Sequence, residues 1–384
     1  MMKNIPFALP DITAREIAAV TECLSSGWLT TGKKCREFED RFASFVGARH
    51  AVAVNSATAA ALLILDCLEA ARRDLLFVSP YTFSGPAMMA HQLGMRVVLV
   101  DVEPGGFNMD PDALEEALST HPGYMQRIVM PTHFAGQSCR MVPILESAGS
   151  RLNCLVVDDA AHALPSHDVN TGFSVGAQGA KATFFSFYAT KTLTTGEGGM
   201  IATDDEELAV VLRAKRMHGF NRQVFDRYTN LTTGWRYDIA QRGWKANLTD
   251  VAAALGIVQL ERQMEMLGRR RSIAERYNRA FAGTGAVLPQ INRGHACHLY
   301  PLQVDRRDEF IAGMAEAGVQ CSVHFIPLHH HSYWRSQLND VDCPNADAAF
   351  AREVSLPIYS GMSDDDVDYV IGAALRLLTH KEAA

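Results

Sequence analysis

An α/β fold built on a mostly parallel seven-stranded sheet between helices is predicted by three features of this sequence. Seven short apolar runs occur at 51–54, 75–79, 96–100, 127–130, 154–157, 183–187 and 200–203. Helical patterns at 58–70, 85–93, 111–118 and 141–149 separate the first five runs. Such alternation implies parallel pairing with helices on both faces. Runs such as Leu155-Val156-Val157 are apolar throughout, the pattern of a strand covered on both sides.

The elements follow in chain order. Residues 1–25 are expected to form an arm and a helix over 12–24 that packs on the body. Residues 26–260 hold the seven strands and make the larger domain. A helical pattern from 249 to about 281, with Leu255, Val258, Leu260 and Met264 on its apolar side, leads into a smaller α+β domain over 261–384. Its strands are expected at 298–304 and 319–323, and its helices at 307–317, 346–353 and 364–377. A chain of 384 residues, 48% hydrophobic and 21% charged, is long enough for two cores. The net charge of -7 and the lack of a basic stripe argue against nucleic acid or a membrane surface as partner. No apolar run is long enough to span a bilayer, and residues 1–10 lack a signal-peptide core. The eight cysteines include no Cys-x-x-Cys pair. They read as small buried hydrophobes in a reducing cytoplasm.

The chemistry concentrates at the ends of the predicted strands. The run over 183–187 delivers Lys191 into a turn of small residues that ends in Gly196-Glu197-Gly198-Gly199. Apolar neighbours lower the proton affinity of an amine and can make it a nucleophile for an aldehyde; a surface lysine beside a Gly-rich loop fits the same string. Asn55-Ser56-Ala57-Thr58 lies between a strand and a helix, where backbone N–H groups and hydroxyls seat a phosphate or simply cap the helix. Asp158 and Asp159 end a buried strand, at the edge where open α/β sheets bind ligands. One can pair with a protonated ring nitrogen; the other can cap or face solvent. A metal site with His162 and a purely structural cap are the alternatives. Phe83 follows Pro80-Tyr81-Thr82 and can lie on a planar heterocycle or pack in the core. Together these pieces fit one ligand with a phosphate (residues 56–58 and Ser186), an aldehyde (Lys191), a basic ring nitrogen (Asp159) and a flat face (Phe83). Pyridoxal 5′-phosphate has all four groups. It would form a Schiff base with Lys191 and accept electrons when a Cα proton leaves.

From about residue 6 to 377 the chain resembles the DegT/DnrJ/EryC1/StrS aminotransferases, a fold-type-I group that mostly aminates keto sugars carried on nucleotides. The resemblance rests on Ser26-Gly27-Trp28-Leu29-Thr30-Thr31-Gly32 with Phe38-Glu39, on residues 55–60, on Pro80 to Phe83 and on Asp101-Val102. It continues with residues 158–162 ("EDAAQ/H"), residues 186–200 ("SF…K.lt.geGG"), residues 243–250 ("GyKyNlTD") and His324-Phe325-Ile326-Pro327-Leu328-His329 ("HfiPlH"). The resemblance implies that Lys191 holds the cofactor aldehyde and that Asp159 meets the pyridine nitrogen. It places His162 beside the ring, Phe83 stacked on it, and Ala57, Thr58 and Ser186 at the phosphate. It implies that Asn247 reaches the cofactor phosphate of the neighbouring subunit in a homodimer with shared sites. His324 and His329 would border the sugar pocket. L-Glutamate is the implied amino donor, and a 4-keto-6-deoxy nucleotide sugar the implied acceptor. A keto-cyclitol or 3-keto sugar aminotransferase is the alternative within the group. Asp158 stands for the commoner Glu, Trp244 and Ala246 for tyrosines and Ala57 for Gly, changes that bear on pocket shape. Lys at 191, where the group's sugar 3-dehydratases carry His, implies transamination.

Two other readings remain. A protein that keeps the fold for regulation without turnover would be free to lose Lys191, Asp159 and Ser186. The run His329-His330-His331 with His324 suggests a metal, but consecutive residues of an extended strand point to opposite faces. No metal is therefore expected, and His330 and His331 read as solvated or interface residues.

Overall fold

The structure is a computed structural model that describes residues 3–122, 126–221, 235–338 and 341–379. Each of the seven predicted runs becomes a strand: β1 (His50–Val54), β2 (Leu75–Val78), β3 (Arg96–Leu99), β4 (Arg127–Met130), β5 (Cys154–Asp159), β6 (Ala182–Ser186) and β7 (Gly199–Thr203). They form one sheet in the order β1-β7-β6-β5-β4-β2-β3. The pairs from β3 through β6 are parallel. β7 runs antiparallel to both of its neighbours, β1 and β6. The sheet is thus mostly parallel, as expected, with β7 the exception. The 12-residue loop between β6 and β7, residues 187–198, carries no crossover helix, so the chain returns as a hairpin would.

Strand side chains alternate between two helical layers. On one face Val52, Val54, Leu76, Val78, Ile128, Met130, Phe184 and Ile201 pack against the helices Ala57–Cys67, Ser84–Gln92 and Glu206–Lys215. On the other, Ala51, Ala53, Phe185, Met200 and Ala202 meet Lys33–Val46 and Asp250–Glu261. Leu75, Phe77, Val129 and Val156 on that same side meet Pro111–Thr120 and Met141–Gly149.

The helix expected over 12–24 forms as Ala14–Ser25. Its N-cap Thr13 and Glu16 make a capping box, which satisfies two first-turn donors. The expected helix over 249–281 is interrupted at Arg262, giving Asp250–Glu261 and Gln263–Phe281. The Arg262 guanidinium is buried and bonds Glu16 at 2.7 Å and Asp11 at 2.9 Å, so the break marks where the N-terminal segment is tied down. Removing one partner of such a buried pair costs about 3–5 kcal/mol.

A second core gathers Ile273, Tyr277 and Phe281 with Phe310, Met314, Val367 and Val370. It lies on a two-stranded antiparallel sheet of β8 (Tyr300–Gln303) and β9 (Glu353–Leu356). One expectation fails here. Residues 319–323 make only isolated bridges, Val319 to Ile5 and Ser322 to Ser355, because the N-terminal arm and β9 each take one residue of the segment. The helix expected over 346–353 is Pro344–Arg352, and Glu353 opens β9. Among the described residues no helix is long and apolar enough to cross a membrane.

Candidate active site

The C-terminal ends of β4, β5 and β6, the turn after β2 and the start of the helix after β1 open on one cavity of about 460 Å3. That is the edge at which open α/β sheets bind ligands, and the size suits a cofactor and its substrate. Lys191, Asp159, His162, Phe83, Ala57, Thr58, Ser186 and His324 all line it.

Lys191 stands in the β6–β7 loop, and its neighbours fix its backbone. Its N–H donates to the Tyr188 carbonyl at 2.9 Å. The Thr192 hydroxyl donates to the Leu164 carbonyl, and Leu193 is sunk among Phe38, Phe42 and Phe187. Lys191 is the only amine among the lining residues. Burial brings its ammonium down to about 8, and the opposing pull of Asp159 does not offset this.

β5 sends its two terminal carboxylates to opposite faces. Asp159 enters the cavity, where one oxygen accepts the Ala161 N–H at 3.0 Å. Burial raises its proton affinity against the pull of the Ala161 N–H and Lys191. Asp158 neither caps nor faces solvent, which corrects the expectation. It is fully buried behind the sheet, with the Thr183 hydroxyl at 3.4 Å and His133 Nε2 at 3.7 Å.

The helix Ala57–Cys67 starts at the cavity. Ser56 caps it by accepting the Ala59 N–H at 3.1 Å. This uses the Ser56 oxygen locally and leaves the first N–H groups of the helix without intrahelical acceptors. Ser186 ends β6 beside Gly199 of β7. A Cβ on Gly199 would lie 2.8 Å from the Ser56 carbonyl carbon and 2.9 Å from Ala57 N, so only glycine lets the helix start approach the sheet this closely. Phe83 is 61% exposed and lines the cavity at its rim.

His162 accepts the Ala135 N–H on Nδ1 at 3.3 Å, which leaves Nε2 as its N–H. Burial, then the charge of Lys191, holds the imidazole neutral. Two residues escaped the sequence reading. His298 lines the cavity 4.5 Å, ring to ring, from His162; it had read only as the first residue of a strand. Phe325 also lines the cavity and stacks on His162 at 5.5 Å; "HfiPlH" contained it without marking it.

Two expected residues lie elsewhere. Asn247 lines a separate cavity with Thr31, Gly32, Arg213 and Arg216, and its amide donates to the Thr31 hydroxyl at 2.7 Å. Trp244 and Ala246 also stay out of the first cavity; Ala246 is core and Trp244 packs against it. His329 is turned away from the cavity, its Nε2 2.9 Å from Asp347. The segment Leu328–His330 is a 3-10 turn, not an extended strand, so His330 Nε2 reaches the same Asp347 oxygen at 2.8 Å. Among the described residues His329, His330 and Asp347 are the one group spaced to hold a metal ion. Hydrogen bonding accounts for the trio. Coordination through Nε2 would put an N–H on the buried, unpartnered Nδ1 of His329, where metal-bound histidines need an acceptor.

The residues present fit pyridoxal 5′-phosphate. A buried carboxylate at the cavity suits a protonated ring nitrogen, the helix start held close by Gly199 suits a phosphate, and a single amine lines the same cavity. The sequence profile of the DegT/DnrJ/EryC1/StrS aminotransferase family matches residues 10–375. The spore coat polysaccharide biosynthesis protein SpsC of Bacillus subtilis (strain 168) is 44% identical over 381 residues, 96% of this chain and 96% of its own. The putative sugar aminotransferase Spr1654 of Streptococcus pneumoniae, solved in its PMP-form, superposes with a TM-score of 0.89 at 32% identity, covering 98% of this chain and 99% of that one. DesV of S. venezuelae gives a TM-score of 0.86 at 28% identity over 96% of this chain and 95% of that one. This protein therefore belongs to the DegT/DnrJ/EryC1/StrS aminotransferase family and is a sugar aminotransferase that depends on pyridoxal 5′-phosphate.

Proposed function

We propose that the enzyme moves an amino group from L-glutamate to a keto sugar carried on a nucleotide, with a 4-keto-6-deoxy sugar as acceptor. One observation carries the reading: a single amine with lowered proton affinity and a buried carboxylate with raised proton affinity line the same cavity. Bound pyridoxal 5′-phosphate supplies an aldehyde that takes up the amino group and a ring that accepts electrons. Asp159 keeps the ring nitrogen protonated. Ala57, Thr58 and Ser186 hold the phosphate, and Phe83 covers a ring face. Lys191 removes the proton from the donor's Cα and returns one to the sugar carbon, as an amine that titrates near the working pH does. His162 donates its Nε2–H beside the ring. His324 faces the sugar, and His329, held by Asp347, drops out of that role.

Asn247 stands outside its own cavity, which supports the reading that it serves the site of a second subunit in a homodimer. The separate core around Tyr277 and Phe310 supports a division near residue 260, between an N-terminal arm with the large domain and the smaller C-terminal domain. The eight free thiols support a cytoplasmic setting.

The test separates the two half-reactions. Glutamate should discharge the yellow absorption of the loaded enzyme, and a 4-keto-6-deoxy nucleotide sugar should restore it. Recovery with a free keto-cyclitol or a 3-keto nucleotide sugar alone would overturn the substrate assignment.

A further inference from the structure

A buried carboxylate lies directly behind the cavity, and nothing in the transamination described above uses it. Glu353 is the first residue of β9 and is fully buried. Two residues on, the hydroxyl of Ser355, on the same face of the strand, lies 2.6 Å from one Glu353 oxygen. The same hydroxyl lies 2.9 Å from His324 Nδ1. The other Glu353 oxygen accepts the His324 backbone N–H at 2.9 Å. The chain Glu353–Ser355–His324 thus ends at a cavity-lining imidazole. With Nδ1 engaged by Ser355, Nε2 is the nitrogen His324 has left for a ligand.

A serine hydroxyl carries one proton and can donate in one direction only. If Glu353 is a carboxylate, Ser355 donates to it, His324 Nδ1–H donates to Ser355, and Nε2 offers a lone pair. If Glu353 is a carboxylic acid, its O–H donates to Ser355, Ser355 donates to Nδ1, and Nε2 carries an N–H. The charged and titratable groups around Glu353 are Arg307, Tyr81, Cys321 and His324. Arg307 bonds the Phe350 and Glu353 carbonyls and pairs with Asp308, so it does not hold the carboxylate. Burial, which outweighs the bonds from Ser355 and His324, pushes Glu353 up to about 8. Burial and the charge of Lys191 bring His324 down to about 4, so its ring is neutral and its tautomer matters.

We propose that Glu353, acting through Ser355, selects the tautomer of His324 and so decides whether that imidazole accepts from or donates to the keto sugar. Glu353 and Ser355 are positioning residues for acceptor recognition. This rests on the reading of His324 as the sugar-facing residue.

The direct test is the tautomer itself, read by 15N–1H correlation on histidine-labelled, cofactor-loaded enzyme at pH 9. The wild type is expected to carry the His324 proton on Nδ1. Glu353→Gln, whose amide can only donate to Ser355 once its carbonyl takes the His324 N–H, should carry it on Nε2. The same tautomer in both proteins overturns the relay. Ser355→Ala keeps the test open if the Gln variant does not fold: it should change the wild-type tautomer ratio, and an unchanged ratio overturns the relay equally. In stopped-flow assays at pH 9, where wild-type Glu353 is a carboxylate, Glu353→Gln should slow the keto-sugar half-reaction about tenfold more than the glutamate half-reaction, the scale of one lost hydrogen bond. An equal effect on both overturns the role in sugar recognition even if the tautomer flips. Failure of every keto sugar with the wild type would instead sink the substrate reading, and the spectra would still decide the relay.

Discussion

Lys191 and Asp159 are each poorly solvated where they stand, and this makes both of them testable one at a time. Burial disfavours the ammonium form, so Lys191 loses its proton near pH 8, where an ordinary lysine does so at about 10.4. In cofactor-free protein, labelling of Lys191 by an amine-selective reagent should therefore rise with pH about a midpoint near 8. A midpoint near 10.4 would mean the side chain is in bulk water. Asp159 has the opposite sign. A carboxyl whose proton affinity rises on folding costs stability once the pH exceeds its unfolded value of about 3.9. Asp159→Asn should make the cofactor-free protein melt higher at pH 7, with the gap closing below about pH 4. The same variant should lose roughly 100-fold or more in kcat. Both residues were legible in the sequence because each follows an apolar run that could hardly be anything but a strand. Glu353 and Ser355 were not. They read as the end of a helix and an unremarked serine, and their meaning lies in a contact with His324 about thirty positions away, which no local pattern encodes.

At the scale of elements, the proposed phosphate seat depends on how closely the helix Ala57–Cys67 approaches the β6–β7 hairpin. Gly199→Ala would place a methyl 2.8 Å from the Ser56 backbone. The helix start must then move, at a cost of about 1–3 kcal/mol in urea denaturation. Cofactor affinity, measured by fluorescence titration, should fall with it. Lost stability with unchanged affinity would separate the seat from the helix. The strands of the sheet were legible to within a few residues because buried parallel strands are continuous apolar runs. The helices Lys33–Val46 and Glu206–Lys215 were not predicted, although Phe38, Phe42 and Val46 repeat at helical spacing. Their charged outer faces dilute the signal. The direction of β7 was also hidden, since the length of a loop in sequence does not say which edge of the sheet it reaches. The histidine run lies in a 3-10 turn at Leu328–His330, not an extended strand, so His329 and His330 reach the same carboxylate.

At the scale of the whole molecule, the position of Asn247 outside its own cavity makes a specific demand on assembly. If each site takes Lys191 from one subunit and Asn247 from the other, Lys191→Ala and Asn247→Ala proteins complement each other. Each inactive parent, mixed and reassembled, should recover about a quarter of wild-type activity, because half the dimers are mixed and each has one intact site. No recovery in mixed dimers would return Asn247 to a role within its own chain. Every role proposed for the site depends on Lys191 being the amine that meets the cofactor aldehyde. Borohydride reduction of the pyridoxal-phosphate-loaded enzyme, followed by peptide mass spectrometry, tests this most directly. A single pyridoxyl adduct on Lys191 is expected; an adduct confined to any other lysine, or none at all, would contradict this assignment.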